Sequence, residues 1–284
     1  MAINDFWIVI TASLISLCCV IPGTFLVLRR MAMFGDAISH AVLPGLVVAY
    51  LLSGSRESII MLPGAAATGL LVTFLIEWIQ KRMRIQNDAA IGLVYTFLFA
   101  VGVILVSAYA AQTDLDQECV LYGEIAYVPF DLIMNDAGFS LGPRQVWIAG
   151  GLFLTLIVVL LISYRALYIT TFDAGYATAL GISVAFWHYV LMGMVSMVTV
   201  VSFESVGAVL VIALLIGPPA TAALFAKRLP FLLVLASIIG ILSCIGGYYL
   251  AVWWNASIAG AISMMIGILF GLGLLIRKLI SYSM

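Results

Sequence analysis

Apolar residues in this chain gather into long runs instead of alternating with polar ones. The runs are about 17 to 23 residues long, close to what an α-helix needs to cross the hydrocarbon core of a bilayer. Nine are predicted to span a membrane: Phe6 to Leu28, Asp36 to Ser53, Ser58 to Gln80, Ala89 to Tyr109, Val146 to Tyr164, Ala185 to Val201, Ser205 to Ala226, Phe231 to Trp253 and Ser257 to Ile276. Between the fourth and fifth, Cys119 to Ile133 is too short and too polar to cross, being interrupted by Gly123, Glu124 and Pro129. An interfacial or re-entrant helix is expected there. The small residues of Gly64 to Gly69 and the Gly267 and Gly271 pair predict close helix contacts. The fold class is therefore all-α, a polytopic transmembrane helical bundle, with residues 1–284 expected to form one membrane domain.

Composition agrees with the pattern. With 65% of residues hydrophobic and 9% charged, the chain lies far from the roughly half-apolar, quarter-charged balance of a soluble domain. Lipid is its expected solvent. Asp5 and no basic residue precede the first run, which has no small-residue cleavage pattern, so that run is read as a retained span. The four cysteines, Cys18, Cys19, Cys119 and Cys244, show no paired spacing. Neither a disulfide framework nor a zinc ribbon is supported.

Charge sets the expected orientation, because Lys and Arg near span ends stay cytoplasmic. In a nine-span arrangement Arg29, Arg30, Lys81, Arg82, Arg84, Arg165, Lys227, Arg228, Arg277 and Lys278 share one side, ten of the twelve basic residues. Arg56 and Arg144 fall outside. The amino terminus is then outside and the carboxyl terminus inside. Asp5, Glu57, Asp114, Asp116, Glu118, Glu124, Asp131 and Asp136 are expected on the outer face, where such a rim attracts cations and basic surfaces within a Debye length. Each of these acids singly reads equally well as a solvated loop residue.

The segment with most chemistry runs from Met33 to Gly45. Asp36 and His40 are four residues apart, which puts both side chains on one helix face, one turn apart. An ionisable pair inside a membrane segment is costly unless it meets a polar cavity or a partner, and is a functional candidate for that reason. Carboxylate plus imidazole suits Mn(II), Fe(II) or Zn(II) better than Mg(II). Two ligands are too few for a tight site, but two copies facing each other across a dimer axis would supply four. A structural reading competes: Asp36 as a helix cap and His40 as a satisfied core residue. Pro44 and Gly45, one turn on, are expected to loosen the helix.

Glu204, at the expected outer junction of spans six and seven, is a further metal candidate or an idle interfacial carboxylate. His188, beside Trp187 near the inner end of span six, reads as a neighbour of the interfacial aromatic belt. Asp114, Asp116 and Glu118 alternate but lack the glycine and terminal glutamate of an EF-hand loop. On the cytoplasmic side, Thr171 to Ser183 is predicted as a short amphipathic surface helix, with Gly175 and Gly181 near its ends. Such a helix fits a groove in a soluble partner, or is an ordinary interfacial turn. The chain has no phosphate-binding G-x-x-x-x-G-K-[ST], no H-E-x-x-H and no G-x-S-x-G. With no basic face, nucleic acid is not an expected partner.

The stretch from Arg30 to Gly45, Arg-Met-Ala-Met-Phe-Gly-Asp-Ala-Ile-Ser-His-Ala-Val-Leu-Pro-Gly, resembles the hallmark segment of the permease subunits of bacterial manganese, zinc and iron ATP-binding cassette (ABC) importers. Val120 to Ile125, Phe172 to Ile182 and Ser205 to Ala222 resemble the family's other shared stretches in the same order. The resemblance covers roughly the whole chain. It implies a type II ABC importer-like permease in the bacterial cytoplasmic (inner) membrane, paired with an identical or paralogous second protomer. It further implies a separate cytoplasmic ABC ATPase and an extracytoplasmic metal-binding protein.

By the same resemblance, Asp36 and His40 match the metal-pathway residues. Asp173, Ala174, Gly175, Ala177, Leu180 and Gly181 match the coupling helix that meets the ATPase. The acid-rich Thr113 to Glu118, followed by Val120 to Tyr127, looks more like the manganese or iron branch than the zinc branch. No permanently bound cofactor is expected, the metal being cargo. The resemblance and the residues together imply a permease for a divalent transition metal, manganese first, zinc or iron next, with ATP hydrolysis in another subunit. A permease for a bulky chelate such as a siderophore or cobalamin, and an ATP-independent transporter, are the alternatives. An intramembrane enzyme lacks its other catalytic parts.

Overall fold

The computed structural model of the chain describes all residues except 1–2, 42, 54–57, 84, 110–124, 135–139 and 283–284, and leaves out the side chains of 3, 46, 52–53, 58–63, 65–66, 87, 109, 134, 140–141, 204 and 280–282. Among the described residues there are eleven α-helices. The first five are α1 (Ile3–Leu28), α2 (Ala32–Ala41), α3 (Leu43–Ser53), α4 (Ser58–Met83) and α5 (Asn87–Tyr109). After a 3₁₀ turn (Ile125–Phe130) and a two-stranded hairpin come α6 (Arg144–Phe172), α7 (Ala174–Ala179), α8 (Val184–Val206), α9 (Ala208–Ala223), α10 (Leu229–Trp254) and α11 (Ile258–Tyr282). The hairpin pairs β1 (Leu132–Met134) with β2 (Ser140–Pro143) in antiparallel register.

Each of the nine predicted spans coincides with a helix, or with the α2 and α3 pair. Seven stretches among the described residues are long and apolar enough to cross a membrane. The two other expected spans are α4, which carries Glu77, Lys81 and Arg82 in its last turns, and α9, which is apolar but only 16 residues long. Differences lie at the ends. Helix α6 continues past the predicted Tyr164 to Phe172, so Thr171 and Phe172 belong to a span rather than to the surface helix expected from Thr171 to Ser183. In place of the interfacial α-helix expected over Cys119 to Ile133 there is a 3₁₀ turn running toward a strand; residues 119–124 lie outside the described ones. Pro129 within it denies an α-helix one backbone donor.

Helix α1 is the hub. Of its apolar stretch 72% is buried, against 17% for α6, so α1 runs through protein while α6 lies at the rim with Leu154, Leu161 and Ile162 exposed. Phe25, Cys19 and Ile15 of α1 join Leu191 and Val198 of α8, Leu210 and Leu214 of α9 and Cys244 of α10 in the larger core. A second core gathers Phe34, Ala37, Ile38 and Ala41 of α2 with Val72 and Ile76 of α4, Ile91 and Val94 of α5, and Met192 and Val195 of α8. The Cys18 thiol donates to the carbonyl of Ala149 at 3.5 Å and that of Cys244 to Ala12 at 3.4 Å. The described cysteines are thus free, buried packing residues.

Small residues draw helices together where predicted in one case and not the other. A Cβ on Gly64 would meet the Ala49 Cβ at 2.6 Å, and one on Gly69 would meet the Ser196 hydroxyl. Around Gly267 and Gly271 nothing among the described residues lies within 4 Å of that position. Helix α8 gives way to α9 at Gly207, whose φ of 77° and ψ of 163° lie in a region essentially restricted to glycine. Gly207→Ala is expected to cost roughly 1–3 kcal/mol, read as a lower thermal unfolding midpoint in detergent; an unchanged midpoint would refute that strain.

Candidate functional site

Asp36 lies a full turn inside α2, so it is not the amino-terminal cap that the structural reading offered. Helical spacing gives α2 two faces. Phe34, Ile38 and Ala41 are buried in the core shared with α4, α5 and α8, whereas Asp36 and His40 lie on the opposite side of α2, His40 beside the aromatic edge of α5. His40 Nε2 stands 3.4 Å from Asp36 Oδ1, with side-chain exposures of 32% and 33%. Two rings of α5 flank the imidazole: Tyr95, tilted, at 6.0 Å between centroids, and Phe99, edge-on, at 6.1 Å. One carboxylate and one imidazole converge at a half-open surface within an apolar stretch of helix.

Such a pair can offer a divalent ion one nitrogen and one or two oxygens, leaving most coordination positions free. No group of three or more His, Cys, Asp or Glu gathers among the described residues. The donor set within one copy is therefore open. A carboxylate and imidazole one-third exposed within a stretch apolar enough to cross a membrane need a wet cavity or a partner surface over them.

The other sequence candidates are placed as follows. Glu204 lies in the last turn of α8, not in a junction loop, because the helix runs on to Val206; its side chain is outside the described ones. Of the expected acidic rim, Glu57, Asp114, Asp116, Glu118, Glu124 and Asp136 lie outside the described residues, while Asp131 accepts a backbone hydrogen bond from Arg144 at the hairpin.

The expected coupling segment contracts to the six residues of α7. Asp173 caps it, its Oδ1 accepting the Tyr176 N–H at 2.8 Å. Ala177 is buried as its inward anchor, and Gly181, at φ 76°, closes it as Ile182 N–H donates to the Ala177 carbonyl. Gly175 is exposed, as are Phe172, Tyr176 and Leu180, which present an apolar tip. Ser183 then caps α8 by accepting the Phe186 N–H.

Arg29, at the end of α1, donates from Nε to Thr171 Oγ1 at 3.0 Å and from Nη2 to Thr170 Oγ1 at 2.9 Å. Burial pushes its guanidinium below the ordinary value, yet it stays cationic at neutral pH. The contact pins the ends of α1 and α6 together beside α7.

Sequence reasoning passed over Glu77. It sits in α4, where its Oε1 is 3.1 Å from His188 Nε2 and its Oε2 is 3.0 Å from Lys81 Nζ and 3.4 Å from Tyr189 Oη. His188 is thus an imidazole within hydrogen-bonding reach of a carboxylate and not a mere belt neighbour. The available signal was an acid four residues before Lys81 in an otherwise apolar run.

A model of the ABC 3 transport family matches residues 4–277. The manganese transport system membrane protein MntD of Bacillus subtilis is 48% identical to this chain, over 94% of it and 90% of its own length. The zinc transport system membrane protein TroD of Treponema pallidum is 43% identical, over 93% of this chain and 72% of its own. Among solved structures, PsaBC from Streptococcus pneumoniae in complex with Fab superposes with a TM-score of 0.78 at 31% identity, over 94% of this chain and 90% of that one. On these matches and on its helical bundle, the chain belongs to the ABC 3 transport family and is a transporter permease.

Proposed function

We propose that the chain is the membrane pathway of an ATP-driven importer for divalent transition-metal ions, manganese before zinc or iron. The observation that carries this is the Asp36 and His40 pair, converging at 3.4 Å on the exposed face of a buried helix. Borderline nitrogen and oxygen donors select this class of cation over Mg(II). The relatives named for manganese and zinc transport support the same cargo. An open donor set grips an ion without trapping it, which transport requires and a closed tetrahedral site would forbid.

Two protomers, identical or paralogous, face each other so that the second Asp and His pair completes the site on a shared axis. The membrane is the bacterial inner membrane, with the amino terminus outside and the carboxyl terminus inside, so that the basic span ends stay cytoplasmic. A metal-binding protein delivers the ion at the outer end, where Glu204 is a receiving carboxylate. A separate cytoplasmic ATPase grips the α7 tip, and its cycle switches the side to which the paired site opens. Lipid covers the apolar rim of α6.

Vesicles holding the permease, its ATPase and its binding protein test the cargo. ATP-dependent uptake of free Mn(II), competed by Zn(II) or Fe(II), is the expected result. Uptake of chelated iron without free-ion uptake would overturn it in favour of a chelate permease. Docking is tested by Gly175→Trp: the site is exposed, with Asp173 Oδ1 at 3.4 Å as the nearest atom. The fold should tolerate the ring while the partner groove should not. Metal moved per ATP hydrolysed should fall about tenfold, within the range expected for a disrupted coupling element; unaltered coupling would remove α7 from that role.

A further inference from the structure

Glu77 and His188 are not spent on the metal pair, since Phe34, the α2 residue whose ring meets His188, lies on the face of α2 opposite Asp36 and His40. They are partly buried, with side-chain exposures of 22% and 13%. Between them they join two helices that the chain keeps far apart in sequence. Four observations place this junction in the line from α7 to α2.

The first is continuity. Residues Leu180 to Ser183 connect α7 to α8, and His188 stands just over one turn into α8, so a displacement of α7 reaches His188 along one short stretch of chain. Secondly, Glu77 of α4 holds that turn through both His188 and Tyr189. A third contact lies further along the same two helices, where Gly69 of α4 packs on the Ser196 side chain of α8, and a Cβ at Gly69 would stand 3.5 Å from Ile38 Cγ2 of α2. Finally, the Phe34 ring meets the His188 ring edge-on at 90°, with centroids 6.3 Å apart.

Helix α2 therefore rests on the α4 and α8 pair at two points one turn apart, Phe34 at the His188 ring and Ile38 at the glycine. Two footings on one face fix the rotation of a helix about its axis. They thereby fix the direction in which Asp36 and His40 point.

The geometry points to Glu77 and His188 as positioning residues: a carboxylate–imidazole hydrogen-bond latch that makes α4 and the start of α8 move as one body, so that movement at α7 turns α2 and the metal-pathway pair with it. The inference rests on the docking role proposed for α7. Lys81 and Tyr189 complete the latch by holding the second carboxylate oxygen, which keeps Oε1 toward His188. A carboxylate held by three partners resists the shear that an unpaired α4 and α8 contact would allow.

The test is metal transported per ATP hydrolysed in vesicles carrying permease, ATPase and binding protein, with Mn(II) as the probe. Glu77→Ala should lower that ratio about tenfold while ATP hydrolysis continues at the parent rate, as a lost coupling contact would. Glu77→Gln keeps acceptor and shape, and should restore the ratio to within about twofold. Phe34→Leu keeps apolar bulk but removes the ring from His188; it should lower the ratio about threefold, and it decides the matter if Glu77→Ala fails to assemble. A Glu77→Ala ratio matching the parent, alongside an uncoupled Gly175→Trp, overturns the latch alone. Uptake and hydrolysis falling in step in every variant marks a purely structural pair and overturns it too. A fully coupled Gly175→Trp overturns the docking reading, and the latch with it.

Discussion

His40→Ala is expected to reduce ATP-driven Mn(II) uptake by ~100-fold or more, since loss even of a group supporting a metal ligand commonly costs 10–100-fold. The permease should still co-purify with its ATPase. The reason for separating these effects is geometric. The imidazole is one-third exposed and lies between Tyr95 and Phe99 on the outer side of α2, whereas the packing of α2 depends on Phe34, Ile38 and Ala41 on the other side. Alanine at position 40 removes a donor and little of the core. Asp36→Asn should fall in the same direction, because it retains the shape and hydrogen bonds but loses the charge that attracts a cation. Uptake at the parent rate in His40→Ala would remove the imidazole from the pathway.

The second large effect concerns stability. Gly23→Val should destabilise the bundle by ~3 kcal/mol or more, at the upper end of what overpacking costs. A Cβ at Gly23 would meet the Leu215 carbonyl oxygen, with the carbonyl carbon at 2.9 Å and the Cα at 3.1 Å. These are backbone atoms of α9, so relief requires the whole helix to back away from α1. Because α1 is the hub, that shift reaches both the larger core, through Phe25, and the core that holds α2, through Leu26. Gly151→Val, on the lipid-facing helix α6 where nothing lies within 4 Å, is the matched control and should stay within about 1 kcal/mol of the parent. Thermal unfolding in detergent reads both, and equal midpoints for the two variants would contradict the close approach of α1 and α9.

What the sequence disclosed follows from the range of the forces involved. Nine apolar runs were legible because membrane insertion selects on length and hydropathy, both local properties. The shared face of Asp36 and His40 was legible because four-residue spacing is a property of any helix. Which way that face turned was not, since it depends on Phe34 and Ile38 finding α4 and α8, elements distant in the chain.

Glu77 escaped notice for a similar reason. Next to Lys81 it looks like a surface pair at a span end, and only the folded bundle brings His188 and Tyr189 to it. The end of α8 was misplaced by a few residues because Ser202 and Glu204 read as a polar break, whereas the real break is backbone geometry at Gly207. Likewise, the polarity of Arg165 suggested the end of α6, but the helix leaves the apolar zone without unwinding and carries Thr170 and Thr171 to Arg29. Hydropathy marks where lipid stops, not where a helix does.

The account depends on an ion touching the α2 imidazole. Electron spin-echo envelope modulation of Mn(II) added to the purified permease pair measures that contact, and the chain has only two histidines. Nitrogen modulation that persists in His188→Gln and vanishes in His40→Ala is the predicted result. Modulation from water protons alone, or nitrogen modulation unaffected by loss of His40, would contradict it.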